Sequence, residues 1–307
     1  MDNRPLKTMS EVLDSCKSVS RGKSVPPFAV VVVNFNTRED LRACLRSVVA
    51  SAPRQIVVAD NGSTDGSREV VREAFPSVAL LCLDENPGYG GAANRAIAAT
   101  SAPYVLLLNS DTLIAPDALE TLGAYLDTHP GAAVVGPRLL NPDGSLQPSC
   151  YPFPGSLRWA FDNDDVGRLL ARLPLVRELG LRTWRHDRSR RVPWVKGAAL
   201  ALRRAAFDAV GGFDESFFMY HEESDLCFRL ADAGWEVHFA PVTDVVHTGG
   251  TSTAQRQPEM DAALARSATR FHRKHYDGVH LWLATRAWAG ITRVRRWQSF
   301  SRERENA

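Results

Sequence analysis

At 307 residues, 44% hydrophobic and 23% charged, the chain has the composition of a globular protein with room for one large core, which excludes disordered and fibrous classes. A formal net charge of +2 gives no global electrostatic reason to bind nucleic acid, so any basic partner surface must be local. Five cysteines (Cys16, Cys44, Cys82, Cys150 and Cys227) lack the even count and close spacing of a disulfide framework or a zinc site, and suit a reducing cytoplasm.

Residues 1–24 are polar and end in the breaker-rich stretch Gly22 to Pro27, which reads as a flexible tail. Glu11 and Asp14 precede any sustained apolar stretch, so no signal-peptide core can be drawn. No apolar run approaches the ~20 residues of a membrane span. A cytoplasmic location is expected, at most peripheral at the inner face of a membrane.

Four short apolar runs follow, Phe28 to Val33, Ile56 to Ala59, Val78 to Leu83 and Tyr104 to Leu108, each suited to a buried strand. Between them lie helical patterns. Thr37 with Asp40 resembles a capping box for a helix to about Ala50, and Asp65 is placed to cap a helix to about Phe75. Alternating strand and helix predicts a mainly parallel sheet with helices on both faces, and ligands beyond the carboxyl ends of the strands. After Pro137 the pattern loosens through about Pro193, with an amphipathic stretch near Val166 to Leu181 that reads as an acceptor-side insertion. Val195 to Leu202 is strand-like, Glu223 to Ala233 is a helix stopped by Gly234, and Val237 to Phe239 and Val245 to Val246 are further short strands.

The chemistry should sit at the polar strand ends. Asn34-Phe35-Asn36-Thr37 and Asp60-Asn61-Gly62-Ser63 close the first two strands. A carboxylate there accepts an imide N–H of uracil or thymine, although Asp60 and Asp65 equally serve as turn formers. The third strand feeds Asn86-Pro87-Gly88-Tyr89-Gly90-Gly91-Ala92-Ala93-Asn94, whose glycines allow close backbone approach to a ligand. Gly88, Gly90 and Ala93, with Asp111 further on, also satisfy a dinucleotide-binding fingerprint, but that fingerprint belongs to the first βα turn rather than the third. The fourth strand delivers Asn109-Ser110-Asp111. A carboxylate at a strand end suits Mg²⁺ or Mn²⁺ bridging to a diphosphate; capping a helix near Pro116 is the alternative role for Asp111. Glu222, Glu223 and Asp225 crowd one helix start, where the dipole keeps carboxylates ionised. His247 follows an apolar pair and completes a metal site if it meets Asp111 in space, which spacing alone does not show.

Taken together these segments resemble family 2 inverting glycosyltransferases of the GT-A fold, nearest to a rhamnosyltransferase-like bacterial branch. The resemblance rests on VVNFNT (Val32 to Thr37), DNGSTDGS (Asp60 to Ser67), NPGYGGAAN (Asn86 to Asn94), LLNSD (Leu107 to Asp111), KGA (Lys196 to Ala198), GGFDESFFMYHEESDLCFR (Gly211 to Arg229) and VVHTGG (Val245 to Gly250). It implies a nucleotide-sugar donor held by Asn34, Asn36, Asp60, Asn61, Asn86, Gly88, Gly91, Asn94, Asn109, Ser110, Lys196 and Gly197. Asp111 and His247 stand at the implied Mg²⁺ or Mn²⁺. It also implies a catalytic base among Glu222, Glu223 and Asp225, with Glu223 at the position where the family carries Asp. The Asp-x-Asp metal pattern is incomplete, since Asn109 occupies its first place. A GT-A domain over 25–255 is expected, with a donor half at 25–135 and an acceptor half at 136–255. A hexosyl, best rhamnosyl, transfer from a dTDP- or UDP-linked donor to a hydroxyl acceptor follows from the resemblance. A dinucleotide-dependent oxidoreductase and a non-catalytic glycan or lipid-carrier binder are the competing readings.

Residues 256–307 are expected to form a basic helical extension, with Arg270, Arg273, Lys274, Arg286, Arg293, Arg295 and Arg296 interleaved with Trp282, Trp288 and Trp297. Such a surface suits an anionic membrane interface; packing on the domain or a homodimer contact are the alternatives.

Overall fold

A computed structural model describes residues 27–154, 184–249 and 257–278. The tail over 1–24, the amphipathic stretch Val166 to Leu181 and the three C-terminal tryptophans lie outside the described residues.

β1 (Phe28–Asn34) is a β-branched run buried on both faces. It pairs in parallel with β2 (Gln55–Asp60) and β4 (Tyr104–Asn109), and β3 (Ala79–Cys82) adds beyond β2. Alternate β1 residues feed separate cores. Val30 and Val32 pack with Leu41, Leu45 and Val48 of α1 (Arg38–Ala50) and with α2 (Ser67–Ala74). Val31 and Val33 pack with Ala92, Ala93 and Ile97 of α3 (Gly88–Ala98) on the opposite face. The period of two along the strand thus makes a helix–sheet–helix sandwich.

The second half mixes directions. β5 (Thr112–Ile114) and α4 (Ala118–Thr128) lead to β6 (Ala132–Leu140) and the short β7 (Leu146–Gln147) and β8 (Cys150–Tyr151). After β9 (Arg190–Arg191) and β10 (Trp194–Val195), β11 (Ala199–Arg203) runs antiparallel between β4 and β6. α5 (Arg204–Ala209), α6 (Glu222–Asp232), β12 (Glu236–His247) and α7 (Gln257–His275) complete the described chain. The ten-stranded sheet has the order β3-β2-β1-β4-β11-β6-β12-β5, with β7 on β6 and β9 on β12. No helix of the described residues is long and apolar enough to cross a membrane.

Several local expectations change. Thr37 makes no cap bond, because its buried hydroxyl is held by Asn34 Oδ1 at 2.7 Å and by Ser110 Oγ at 2.6 Å. Asp65 takes over: its Oδ2 accepts from Arg38 N at the start of α1 and its Oδ1 from Ser67 N at the start of α2. β3 is a half-buried edge rather than a buried strand. Val195 to Leu202 splits at Lys196 to Ala198, with β10 paired to β8 and β11 in the main sheet. The two C-terminal strand segments are one strand, β12, whose register shifts between Phe239 and Asp244, around Pro241, which has no N–H for the ladder. The described part of the C-terminal extension, α7, packs on the domain through Ala268 and Phe271.

Candidate active site

Parallel pairing aligns the polar ends of the first strands. Asn34 lies opposite Asp60, and Val33 opposite Asn109, so these residues meet at the carboxyl edge of the sheet. Asp60 is 1% exposed and is fixed by Asn34 Nδ2 at 2.9 Å, Ser63 N at 3.0 Å and Arg68 Nε at 2.6 Å. Burial opposes its ionisation, but the bonds from Ser63, Arg68 and Asn34 outweigh it and hold the carboxyl below its usual range. Asn36 has φ 50° and is spent within the same loop pair, donating its N–H to Ser63 Oγ and accepting from Thr64 N. Asn61 borders the cleft, and its buried Oδ1 has no partner among the described residues.

The cleft above these ends is walled on one side by Asn34, Asn61, Asn86, Gly88, Asn109, Ser110 and Asp111, and on the other by Phe218, Met219, Glu259 and Met260. Gly88 (φ 81°) is where the two walls join. A Cβ there would lie 2.1 Å from the Phe218 carbonyl oxygen, which accepts Tyr89 N at 3.0 Å. Gly88 thus lines the cleft while its lack of a Cβ lets the Phe218 backbone close against it. Gly91 turns toward Pro87, Arg95 and Glu215, and Asn94 uses both ends of its amide on the Phe213 backbone. As placed, Gly91 and Asn94 pack the 211–215 loop onto α3 and do not line the cleft. The fingerprint reading fails on the same observation, since Gly88 and Gly90 face Phe218 and Phe213.

Asp111 and His247 meet because β12 runs antiparallel to β5, which sets His247 opposite Thr112. Asp111 Oδ1 is 3.3 Å from His247 Nε2, while Asp111 Oδ2 accepts Gly249 N at 3.0 Å, so Asp111 is not a helix cap. Gln147, which no sequence signal marks, determines the tautomer. Lys196 Nζ is purely a donor and lies 2.9 Å from Gln147 Oε1, so that atom is the amide oxygen. The same oxygen is 2.7 Å from His247 Nδ1, which must then carry the proton. In the neutral ring the Nε2 lone pair then faces the Asp111 carboxylate, with Asn109 Nδ2 at 3.4 Å. Two acceptors 3.3 Å apart suit neighbouring ligands of one cation, since bonds of ~2.1 Å at right angles separate ligand atoms by about 3.0 Å. An oxygen and an imidazole nitrogen are also donors that Mg²⁺ or Mn²⁺ accepts. Among the described residues they form a pair only, with no third His, Cys, Asp or Glu alongside.

Lys196 connects this pair to α6. Burial lowers its pKa, and the charges of Asp111 and Glu223 act to raise it. Gly197 N donates to Glu223 Oε1 at 3.4 Å, and Tyr89 Oη donates to Gly197 O at 2.9 Å. Burial raises the Glu223 pKa and, together with the charge of Glu223, raises that of Glu222 well above the usual glutamate value. Each keeps one buried oxygen, Oε2, without a partner among the described residues. Asp225 differs. It is 0% exposed and shared by Arg229 at 2.8 Å, Lys274 at 2.7 Å and His275 at 2.8 Å. Its oxygens hold α7 against α6, and it does not line the cleft.

The profile of glycosyltransferase-like family 2 matches residues 26–272. The chain belongs to that family. It is 33% identical over 273 residues to the N-acetylglucosaminyl-diphospho-decaprenol L-rhamnosyltransferase of Mycobacterium tuberculosis, covering 84% of this chain and 87% of that one. The pre-mycofactocin glycosyltransferase of the same species is 29% identical over 238 residues, covering 77% of this chain and 46% of the relative. Among solved structures, the Pyrobaculum calidifontis mannosyltransferase PcManGT, in complex with GDP-Man and Mn²⁺, superposes with a TM-score of 0.52 at 20% identity, over 88% of this chain and 76% of that one. GalNAc-T7 with UDP, GalNAc and Mn²⁺ gives a TM-score of 0.53 at 16% identity, over 74% of this chain and 44% of that longer one. These likenesses establish the fold: this is a GT-A glycosyltransferase.

Proposed function

We propose that this enzyme transfers a rhamnose-like hexose, with inversion, from a dTDP- or UDP-linked donor to a hydroxyl of a glycan carried on a polyprenyl diphosphate. The observation that carries the proposal is the Asp111–His247 pair, set at the carboxyl edge of the sheet and joined through Lys196 and Gly197 to Glu223. The rhamnosyltransferase relative supports the choice of sugar and acceptor.

In this reading the donor half is 25–135 and the acceptor half 136–255. Asn61 Oδ1 supplies an open acceptor for a pyrimidine imide N–H, with Asn34, Asn109 and Ser110 along the cleft, and Asp60 is assigned to the same donor-base contact from the neighbouring position. Asp111 and His247 would hold Mg²⁺ or Mn²⁺, which offsets the charge developing on the leaving nucleoside diphosphate. Lys196 adds a positive charge beside them. Glu223 takes the proton of the acceptor hydroxyl as its oxygen bonds to the anomeric carbon and the bond to the diphosphate breaks. A raised pKa suits that role, because it brings the base nearer to neutral pH.

The test is incubation with a panel of pyrimidine- and purine-linked sugars, with Mg²⁺, with Mn²⁺, or with chelator. Consumption of a dTDP- or UDP-sugar that chelator abolishes is the expected result. Turnover of purine-linked donors alone, or turnover unaffected by chelator, would overturn the donor or metal assignment respectively.

A further inference from the structure

A second groove runs along α7, beside the cleft. Arg266, Arg270 and Arg273 recur at helical spacing, so their guanidinium groups share one exposed face. Like charges three and four residues apart destabilise a helix, and among the described residues none of the three has an ion-pair partner. The neighbouring charges are already engaged. Lys274 is held by Asp214 at 2.6 Å and Asp225 at 2.7 Å, and Glu215 by Arg95 at 3.2 Å. The groove thus keeps three uncompensated cations in a row.

The row is rigidly placed. Ser267 Oγ donates to Met219 O at 2.8 Å, Phe271 is buried, and His275 lies 2.8 Å from Asp225. α7 is therefore tied to the segment that carries Glu223. The far wall of the groove is Ser216 and Phe218, and Phe218 also walls the donor cleft. At 40% exposed it is one of only two large hydrophobic side chains of the described residues that stand open to solvent. Met260 lines the cleft and Arg266 the groove, six residues apart, or roughly 9 Å along the helix. The cleft and the groove therefore adjoin along one face of α7.

We propose that Arg266, Arg270 and Arg273 form the docking subsite for the diphosphate of the lipid-linked acceptor, with Phe218 under the sugar that joins it to the cleft. The proposal rests on the glycosyl-transfer reading above and adds which residues recognise the acceptor. Guanidinium groups bind phosphate oxygens two at a time, and an aromatic face beside them suits the apolar side of a sugar ring.

The experiment is co-sedimentation of the full chain with phosphatidylcholine vesicles carrying a polyprenyl diphosphate, compared with vesicles given the same charge by phosphatidylglycerol. The parent chain should prefer the diphosphate vesicles. Replacing Arg266, Arg270 and Arg273 together by Gln should weaken that binding on the order of 10²-fold, since each basic residue at an anionic surface contributes about 1 kcal/mol. Replacing all three by Lys should restore part of it, and an unchanged unfolding midpoint shows that each variant is folded. Equal binding of the parent to both vesicle types would overturn the subsite in favour of a general membrane contact, and so would undiminished binding by the Gln variant. Donor consumption by the parent chain without vesicles reports separately on the transfer reading, so failure of one is distinguishable from failure of the other.

Discussion

The strand-end loops of β1 and β2 and the first turn of α6 both place carboxylates beside the cleft, and they treat them in opposite ways. Asp60 is surrounded by donors from Asn34, Ser63 and Arg68 and is held ionised. Glu222 and Glu223 are pushed toward the protonated form, and each has a buried oxygen with no partner among the described residues. Leaving a buried polar group unpaired costs about 1–3 kcal/mol, so such groups persist where they do something other than hold the fold. α6 contains both kinds within one turn, because Asp225 is as fully engaged as Asp60.

The widest separation between the two kinds should appear in Glu223 and Asp225. Glu223→Gln keeps the size and loses the basicity, so transfer should fall by ~10²–10⁴-fold while donor binding, measured by titration, stays at the parental level. Parental transfer rates in that variant, with Glu222→Gln inactive, would move the base by one residue. Asp225→Ala should act on stability. Arg229, Lys274 and His275 lose their shared partner, and breaking a buried pair costs about 3–5 kcal/mol, which lowers the unfolding midpoint by roughly 10 °C. Because Asp225 titrates below its usual range in the folded protein, its contribution is present above the ordinary carboxylate pKa and is lost as pH falls through the lowered value. The gap between parent and variant should therefore close in acid.

On the donor side, Asp60→Ala should weaken donor affinity by about 1.5–3 kcal/mol, the loss of one charge-assisted bond. It should also lower the midpoint, since Arg68 and Asn34 lose their partner. An unchanged donor affinity with a lowered midpoint would leave Asp60 as an organiser of the loops alone. Gln147→Leu removes the group that sets the His247 tautomer. Such outer partners typically account for 10–100-fold in metal affinity or activity, so the metal concentration at half-maximal activity should rise by that factor. No change would mean that the Asp111–His247 pair does not depend on Nδ1 for its orientation.

Much of the fold was legible in the sequence because β1, β2 and β4 are continuous apolar runs, each ending in its own polar motif. Asp111 stood out as a candidate because it follows such a strand, and Glu223 because three carboxylates crowd one helix start. What the sequence withheld are contacts between distant segments. Gln147 lies in the two-residue strand β7, 100 residues before His247, with no motif around it. Arg68 gave no sign that it would occupy Asp60. The separation of Asp225 from Glu223 depends on Lys274 and His275 of α7, about 50 residues further on, which no reading of the Glu222 to Asp225 tetrad contains. The glycine loop is a related case: permissive backbone signals close approach, and the approach of the Phe218 backbone to Gly88 is not written in either segment alone.

Glu222 offers the smallest effect and a check on the whole comparison. Its pKa is raised well above the usual glutamate value, first by burial and then by the charge of Glu223. The folded chain then binds the Glu222 proton more tightly than the unfolded chain, and stability attributable to Glu222 falls as pH rises from the ordinary glutamate value toward the raised one. Gln has the shape of the protonated acid and does not titrate. Glu222→Gln should therefore match the parent near pH 4 and be more stable at pH 8, by about a few degrees in the unfolding midpoint. Transfer should remain within about 3-fold of the parent, since the substitution removes neither the proton acceptor nor its contact with Gly197. A variant that is less stable at pH 8 would show that Glu222 is ionised and paired in the folded protein, and the contrast between an engaged donor side and an unpaired acceptor side would then rest on Glu223 alone.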